Sequence, residues 1–311
     1  MTMLRGLVLI LAILAATLAG SGADSDARRV GDPPVLAAAR PLPFFYDLYT
    51  FRTDGGGTTV VMAVAVEVRR LRRERRDGRV RYRFDVRFVL ADTARGSVVN
   101  TEDSVFVSVP RALAGQHLLH TYVEVQAPPS TTTLQRVVVT DATRPGTGQL
   151  YTDAFPIPDY SGTDLMLSDI AFGLPGAKSG WTRRGVTLAL LPTDLFPEGS
   201  FDLYYEIYNL PSGTLYETEI SIQPLDDSDD EDRAVRTVFL GESAARADGS
   251  VAELRRVQSA LDKGRYRFTV TVTDRVSGQT ATRSRLVEVR GWRRGATMVP
   301  AMPYGSRAPG E

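Results

Sequence analysis

The chain has 311 residues, of which 37 are basic and 37 acidic, so its formal net charge at neutral pH is zero. This balance disfavours a globally basic nucleic-acid-binding protein. The absence of cysteine excludes disulfides, thiol redox chemistry and thiolate metal sites, so buried apolar surface must hold its domains together.

The N-terminus predicts a signal peptide. Arg5 precedes a predominantly apolar run over residues 6–19, which is shorter than the about 20 residues of a membrane-spanning helix. Small residues up to Ala23 fit a cleavage site, so we predict a signal peptide over residues 1–23 and no transmembrane span after cleavage. An uncleaved N-terminal anchor is the alternative. The protein is therefore expected to be exported, to the periplasm or the exterior, with residues 24–40 as a linker.

Alternating apolar and polar residues then predict antiparallel strands. Apolar side chains recur at every second position in residues 60–68, 80–90, 201–207, 216–222 and 266–272. One face of each strand is expected to form the core and the other to face water. Asp85 and Glu206 lie in the polar phase of their strands and are expected on the surface.

A weak internal repeat indicates two domains of one kind. Residues 137–152 and 270–283 each contain a strand ending in Thr-Asp, a glycine-containing turn and a polar strand. Asp141 and Asp274 close the matching strands and are expected to bond the backbone of their own turns.

These observations predict an all-β chain of two tandem antiparallel β-sandwich domains, immunoglobulin-like in type. Proline, serine and glycine mark residues 154–163 as a linker. The domains are then residues 41–153 and 164–291, and the aperiodic residues 292–311 are expected to form a disordered tail. Residues 251–261 are the best helix candidate, but they fit an edge strand and a turn equally well.

The most unusual feature is an arginine-rich segment, residues 69–83, which we call the arginine hairpin. It carries nine arginines against Glu74 and Asp77, and Asp77-Gly78 fits a two-residue β-turn. The hairpin can bind an anionic partner, such as an acidic polysaccharide, lipid headgroups, nucleic acid or an acidic protein. Alternatively, its charge only keeps the hairpin solvated. The candidate residues for binding an anionic partner are Arg69, Arg70, Arg72, Arg73, Arg75, Arg76 and Arg79.

An acidic segment, residues 226–232, has six carboxylates among seven residues. It lacks the spacing of an EF-hand loop, so a solvated loop is favoured over a calcium site. The weak calcium candidates are Asp226, Asp227, Asp229, Asp230 and Asp232. Because the two segments have opposite charge, self-association between the arginine hairpin and the acidic segment is a further hypothesis.

Sequence motifs give no support for catalysis. Ser243 lies in a Gly-Glu-Ser-Ala-Ala segment that approaches the nucleophile elbow of α/β-hydrolases, but no histidine follows it and the last glycine is replaced. His117 and His120 are the only histidines, and their flanking residues favour a strand, on which they would point to opposite faces. We predict no catalytic residue, no metal site and no cofactor.

Three segments resemble the C-terminal β-rich region of bacterial GWxTD-domain proteins. They are LMLSDIAFG, FDLYYEIYNLPSGTLYETEISI and LDKGRYRFTVTVTDRVSGQTATR, in residues 165–173, 201–222 and 261–283. The name-giving motif itself is absent, since neither Gly180-Trp181 nor Gly291-Trp292 is followed by Thr and Asp at the required positions, the second and third after the tryptophan. The resemblance implies a β-rich fold for the second half of the chain and transfers no site residue.

Together these features predict a non-catalytic, exported binding or scaffolding protein of the bacterial cell envelope. Its partner is expected to be a protein or an envelope polymer, and nucleic acid is disfavoured. Two alternatives stay open: a carboxylate-dependent hydrolase built on a β-sandwich, with Asp85, Glu124 and Glu206 among its strand-borne acids, and a structural oligomer assembled through sheet edges.

Overall fold

The computed structural model describes residues 41–55, 57–193, 196, 199–225, 234–258, 261–289 and 297–303. The predicted signal peptide and its linker lie outside the described residues, and so does the acidic segment with its calcium candidates. Within the described ranges no helix has the length and apolar character needed to cross a lipid bilayer.

The described chain is almost entirely β-strand. The first eight strands are β1 (Phe44–Arg52), β2 (Thr58–Glu67), β3 (Arg73–Arg76), β4 (Arg79–Asp92), β5 (Ser97–Val109), β6 (Leu118–Ala127), β7 (Thr133–Asp141) and β8 (Gly148–Ala154). The next eight are β9 (Met166–Leu167), β10 (Ala171–Leu174), β11 (Trp181–Arg183), β12 (Val186–Leu190), β13 (Phe201–Tyr208), β14 (Leu215–Pro224), β15 (Val235–Glu242) and β16 (Ser250–Val257). The last four are β17 (Gly264–Asp274), β18 (Thr280–Val289), β19 (Met298–Pro300) and β20 (Met302–Pro303).

These strands form four sheets in two sandwiches, which confirms the predicted fold class. The first sandwich pairs the sheet β1-β2-β6-β19 with the sheet β20-β5-β4-β7-β8, to which β3 adds beside β4. The second pairs the sheet β11-β12-β10-β13-β16, with β9 beside β13, with the sheet β15-β14-β17-β18. The pairing of β19 with β6 is parallel, whereas the other named strand pairs are antiparallel.

The alternating segments face the cores as predicted. Val60, Met62 and Phe84 lie in the core of the first sandwich, and Leu203 and Val270 lie in that of the second. The predicted turns are also present, because the Oδ1 of Asp141 accepts from Thr143 N at 2.9 Å and that of Asp274 accepts from Val276 N at 2.8 Å. Period-2 hydrophobicity therefore correctly identified these five strands and the side of each that faces its own core.

A third core joins the two sandwiches. It contains Tyr49, Phe51, Val61, Ala63, Ala171, Trp181, Leu188, Leu190 and Tyr204, drawn from β1 and β2 on one side and β10 to β13 on the other. Both faces of β2 and β13 are consequently buried. The predicted linker packs against both sandwiches, since Ile157 lies in the core of the first and the ring centroid of Tyr160 lies 5.2 Å from that of Tyr208 in the second. The two sandwiches therefore form a stack of four β-layers, and the described residues fall within one compact unit.

Two sequence-based expectations need correction or completion. The predicted disordered tail is wrong for residues 297–303, where β19 pairs with β6 and β20 with β5. These strands are too short for alternation to be visible, and the burial of Met298 fixes β19 in place. The helix candidate forms the edge strand β16, in accord with its alternative interpretation.

Candidate functional site: the arginine hairpin and its groove

The arginine hairpin begins where β2 ends. A single 3-10 turn, Val68–Arg70, carries the chain from one sheet of the first sandwich to the other, and β3 then pairs with β4. Asp77 and Gly78 have φ angles of 54° and 70°, as a type I′ turn requires, so the predicted turn is confirmed. The long strands on either side, β2 and β4, lie in different sheets and do not pair with each other.

The seven candidate arginines are all exposed. Arg69 and Arg70 contact Glu67 at 2.7 and 3.4 Å, and Arg76 lies 3.8 Å from Asp77. Burial acts to raise the pKa of Glu67, but hydrogen bonds from these two arginines hold it below its usual value. The carboxylate therefore stays ionised and offsets part of the charge at the base of the hairpin.

Three of the seven candidate arginines have unpaired guanidinium groups. The side chains of Arg72, Arg73 and Arg75 make no ion pair or hydrogen bond with the described residues. Arg79 donates to the hydroxyl and carbonyl oxygens of Ser108, and so holds the start of β4 against β5. The unpaired guanidinium groups are the part of the hairpin that is available to an anionic partner.

A groove of about 400 Å³ lies at the base of the hairpin. Its apolar wall consists of Val68, Leu71, Tyr82 and Leu113. Backbone hydrogen bonds from Val68 N to His117 O, at 2.9 Å, and from Arg69 N to Gly115 O, at 3.3 Å, fix the 3-10 turn against the loop before β6. The hydroxyl of Tyr82 accepts from Leu113 N at 3.1 Å, which satisfies its polar group while its ring stays buried.

Arginine side chains surround this groove: Arg69, Arg72, Arg73 and Arg144. Arg144 comes from the turn between β7 and β8 and was not among the candidates. Its Nε lies 3.9 Å from the fully buried carboxylate of Asp141, which also accepts from Arg72 N at 2.9 Å. The Thr-Asp repeat at Asp141 predicted a turn at this point of the chain. No sequence pattern predicted that this turn contacts the arginine hairpin. The groove can thus surround an anionic group with several guanidinium donors.

The other motifs have structural roles. Ser243 is buried directly after β15, and the residues that follow it form no helix, so a nucleophile elbow is absent from this part of the described chain. His117 lies in the loop before β6 and His120 is buried within β6. No three His, Cys, Asp or Glu side chains of the described residues converge closely enough to hold a metal ion.

Glu206 contradicts its expected surface position. It is fully buried between the sandwiches and accepts from Arg183 Nε at 2.7 Å and Nη2 at 3.0 Å. The hydroxyls of Tyr204 and Tyr208 also donate to it, at 2.6 and 2.8 Å, and Arg184 Nε lies 3.7 Å away. The alternation correctly placed Glu206 opposite the core of its own sandwich, but the other sandwich covers that face.

A second buried carboxylate, Asp169, contacts both sandwiches directly. The Oδ2 of Asp169 accepts from the backbone N and the hydroxyl of Thr50, at 2.8 and 2.7 Å, while its Oδ1 accepts from Arg283 Nε at 2.6 Å. Arg285 donates to Asp47 and to the carbonyl oxygen of Leu48. These groups are fully occupied by one another, so we assign the pairs to the interface between the sandwiches rather than to chemistry.

The remaining strand-borne acids are more accessible. Asp85 accepts from the hydroxyl of Ser104 at 2.7 Å on the outer face of the first sandwich. Glu124 accepts from Trp181 Nε1 at 2.5 Å and lines a cleft of about 750 Å³ between the sandwiches, together with Asp54 and Arg183.

The comparisons with known proteins identify no family. No protein-family model and no curated protein sequence matches the chain. Among solved structures, it is similar to the transglutaminase of red sea bream, with 12% identity over 79% of this chain and 31% of that one, at a TM-score of 0.23. It is also similar to trypsin-activated alpha-2-macroglobulin from Escherichia coli, with 12% identity over 81% of this chain and 16% of that one, at the same TM-score. The chain thus spans less than a third of the length of either.

Proposed function

We propose that this chain is an exported, non-catalytic binding module of the cell envelope that attaches to an acidic polysaccharide through the arginine hairpin. The observation that carries the proposal is the set of three exposed, unpaired guanidinium groups of Arg72, Arg73 and Arg75, in β3 and the residue before it. A polymer with regularly spaced carboxylates, sulfates or phosphates can engage several of them together. Each contact releases bound counterions, so affinity falls as salt rises.

The composition of the hairpin surface favours a polysaccharide over a membrane or single-stranded nucleic acid. Leu71, Val80 and Tyr82 are buried, so no aromatic ring of the hairpin is exposed for base stacking and no apolar side chain of the hairpin can enter a bilayer. The exposed hairpin residues are arginines, Asp77 and Gly78. Recognition by charge alone suits a hydrated polyanion.

The groove supplies a second element of recognition. A single anionic substituent that enters it meets Arg72, Arg73 and Arg144 beside an apolar wall. The ring carbons of a sugar can pack on Leu113, the partly exposed residue of this wall, while the substituent is bound by guanidinium groups.

The test measures binding of the mature chain to dextran sulfate, with uncharged dextran as the matched polymer, across a salt series. Replacing Arg72, Arg73, Arg75 and Arg76 by Ser should weaken binding and make the slope of log affinity against log salt shallower by roughly three units. The control variant replaces Arg87, Arg136, Arg265 and Arg267, which are exposed on the outer sheet faces, and changes the net charge equally. Equal loss in both variants would show that binding follows net charge, and the proposal would fail.

A hydrolase is the second candidate, and the cleft that contains Glu124 and Asp54 is the observation that favours it. A carboxylate mechanism needs two acids placed across a bound glycosidic bond. Release of reducing ends from acidic polysaccharides by the mature chain, and its loss in Glu124→Gln, would support this candidate over the binding module.

A further inference from the structure

The second sandwich has an open edge at β15. This strand is the outermost of its sheet, and within the described residues it pairs only with β14, from Val235 opposite Ile222 to Glu242 opposite Leu215. Alternate residues of this eight-residue strand therefore present backbone donors and acceptors along an edge that another strand can extend.

The edge lacks two residue types that commonly prevent strand pairing. It contains neither proline nor lysine, and its apolar side chains are exposed: Val235 by 62%, Val238 by 53% and Leu240 by 76%. Leu215, which lies next to it on β14, is 58% exposed. Proteins commonly protect such edges with charge, bulges or cover, so an exposed apolar edge marks a pairing site.

The order of the side chains identifies the partner. Opposite β15, Ile220 and Ile222 point into the core, so the outward-facing residues of β15 are Arg236, Val238, Leu240 and Glu242. Read along the strand, these are a cation, two apolar residues and an anion. When a second copy of the strand lies antiparallel to the first, its order is reversed, so cation faces anion and apolar residue faces apolar residue. A two-fold symmetric interface requires this self-complementarity.

We propose that the chain forms a homodimer in which β15 pairs antiparallel with β15 of a second copy, in the register centred on Phe239. Arg236 then opposes Glu242 of the second copy, Val238 opposes its Leu240, and each contact occurs twice. The two four-stranded sheets become one eight-stranded sheet with both cores on the same side.

Other registers lose this complementarity. A shift of the centre by one residue, to Val238 or to Leu240, removes the charge pairs and leaves Glu242 without a cation opposite it. Registers that pair an even-numbered residue with an odd-numbered one would place an outward-facing side chain opposite an inward-facing one. A two-fold symmetric antiparallel pair excludes them, because directly opposed residues point to the same face of the sheet. The register centred on Phe239 is therefore the one that satisfies the charges and the faces together.

The absence of cysteine from the chain allows a direct test of the register. Directly opposed residues have Cβ atoms about 4.5–5.5 Å apart, close to the separation in a disulfide. A mixture of Val238→Cys and Leu240→Cys chains should form a mixed disulfide dimer under mild oxidation, more readily than either variant alone. Val276→Cys, on an exposed turn of the same sheet, mixed with Leu240→Cys should give only background cross-linking.

Charge reversal tests the same contacts without cysteine. In sedimentation velocity over a concentration series, Arg236→Glu and Glu242→Arg should each weaken dimerisation by about tenfold or more, because like charges then oppose each other twice. The double variant should restore it. Monomers at every concentration, equal cross-linking in all mixtures, or no recovery in the double variant would each overturn the proposal.

Self-association through the arginine hairpin and the acidic segment gives a different outcome. The fourfold Arg→Ser variant of the hairpin should leave the β15 dimer unchanged. Loss of the dimer in that variant would assign self-association to the hairpin and would exclude β15 pairing as its cause.

Discussion

The buried Glu206 offers the strongest test of the packing between the two sandwiches, because Arg183, which it binds, also donates to the carbonyl oxygen of Arg52 in β1 at 2.6 Å. Glu206→Gln removes one negative charge while keeping the shape of the side chain. Arg183, whose side chain is only 15% exposed, then loses its buried counterion, whereas Arg184 keeps Asp54 at 3.1 Å and Asp248 at 2.5 Å. Breaking a buried ion pair on one side costs about 3–5 kcal/mol, because the remaining charge is desolvated and unpaired.

The hydrogen bonds of Glu206 predict a similar decrease in the free energy of unfolding. Glu206 accepts from Arg183 twice and from Tyr204 and Tyr208 once each. An amide keeps one acceptor oxygen and adds an NH₂ group where donors already converge, so at least one buried donor loses its partner, at about 1–3 kcal/mol. Both estimates predict a decrease of several kcal/mol in the free energy of unfolding.

Urea unfolding followed by tryptophan fluorescence is the appropriate assay. Trp181 is buried in this interface, with its ring centroid 5.0 Å from that of Phe51 and 5.5 Å from that of Tyr204. Coincident fluorescence and circular dichroism transitions establish that unfolding is two-state. The control is Glu217→Gln, whose exposed pair with Arg275, 3.3 Å long, should contribute less than about 1 kcal/mol. An equal, small effect in both variants would refute the role assigned to Glu206.

Three other perturbations test the packing. Burial lowers the pKa of His120 to about 4, so the unfolded chain binds more protons between pH 4 and 6.5, and stability should fall by about 3 kcal/mol as pH falls through that window. His120→Phe should flatten this pH dependence in urea titrations. Gly180→Ala should lower the melting temperature, because its Cβ would lie 2.3 Å from the carbonyl oxygen of Leu188 at a φ of 143°. Met298→Ala should cost about 2–4 kcal/mol if β19 is packed as described, whereas Val276→Ala at an exposed turn should be neutral in the same denaturation assay.

The elements that depend on local sequence were predictable. Alternation fixes which side of a strand faces its own core, since neighbouring side chains point to opposite faces. Asp77-Gly78 requires positive φ angles that few other residue pairs tolerate, so the turn of the arginine hairpin follows from two residues. The turns after Asp141 and Asp274 follow in the same way from a side chain that bonds its own backbone.

The contacts between layers were not predictable. The polar phase of β13 looks solvent-facing because it contains Asp202 and Glu206, yet both are buried. Their charges are matched by arginines, Arg256 with Asp202 and Arg183 with Glu206. The periodicity of one strand carries no information about which distant strand supplies those cations. The same limit applies to Arg144, which reaches the groove from a turn between other strands.

The two proposals can be combined into one further prediction. A dimer formed through β15 carries two arginine hairpins, so a long polyanion can bind both and gain affinity through effective concentration. Glu242→Arg should break the dimer while raising the net positive charge. Simple charge attraction predicts tighter binding of long dextran sulfate by this variant, whereas loss of the second hairpin predicts binding weaker by about tenfold or more.

A short sulfated oligosaccharide that spans a single hairpin separates the two effects. Its affinity should be unchanged or slightly higher in Glu242→Arg, because each hairpin is intact. The double variant Arg236→Glu, Glu242→Arg has the original net charge, and an anion again faces a cation across the dimer interface. It should therefore recover the dimer and, with it, tight binding of the long polymer. Tighter binding of both polymers by Glu242→Arg alone would show that the chain binds polyanions one hairpin at a time.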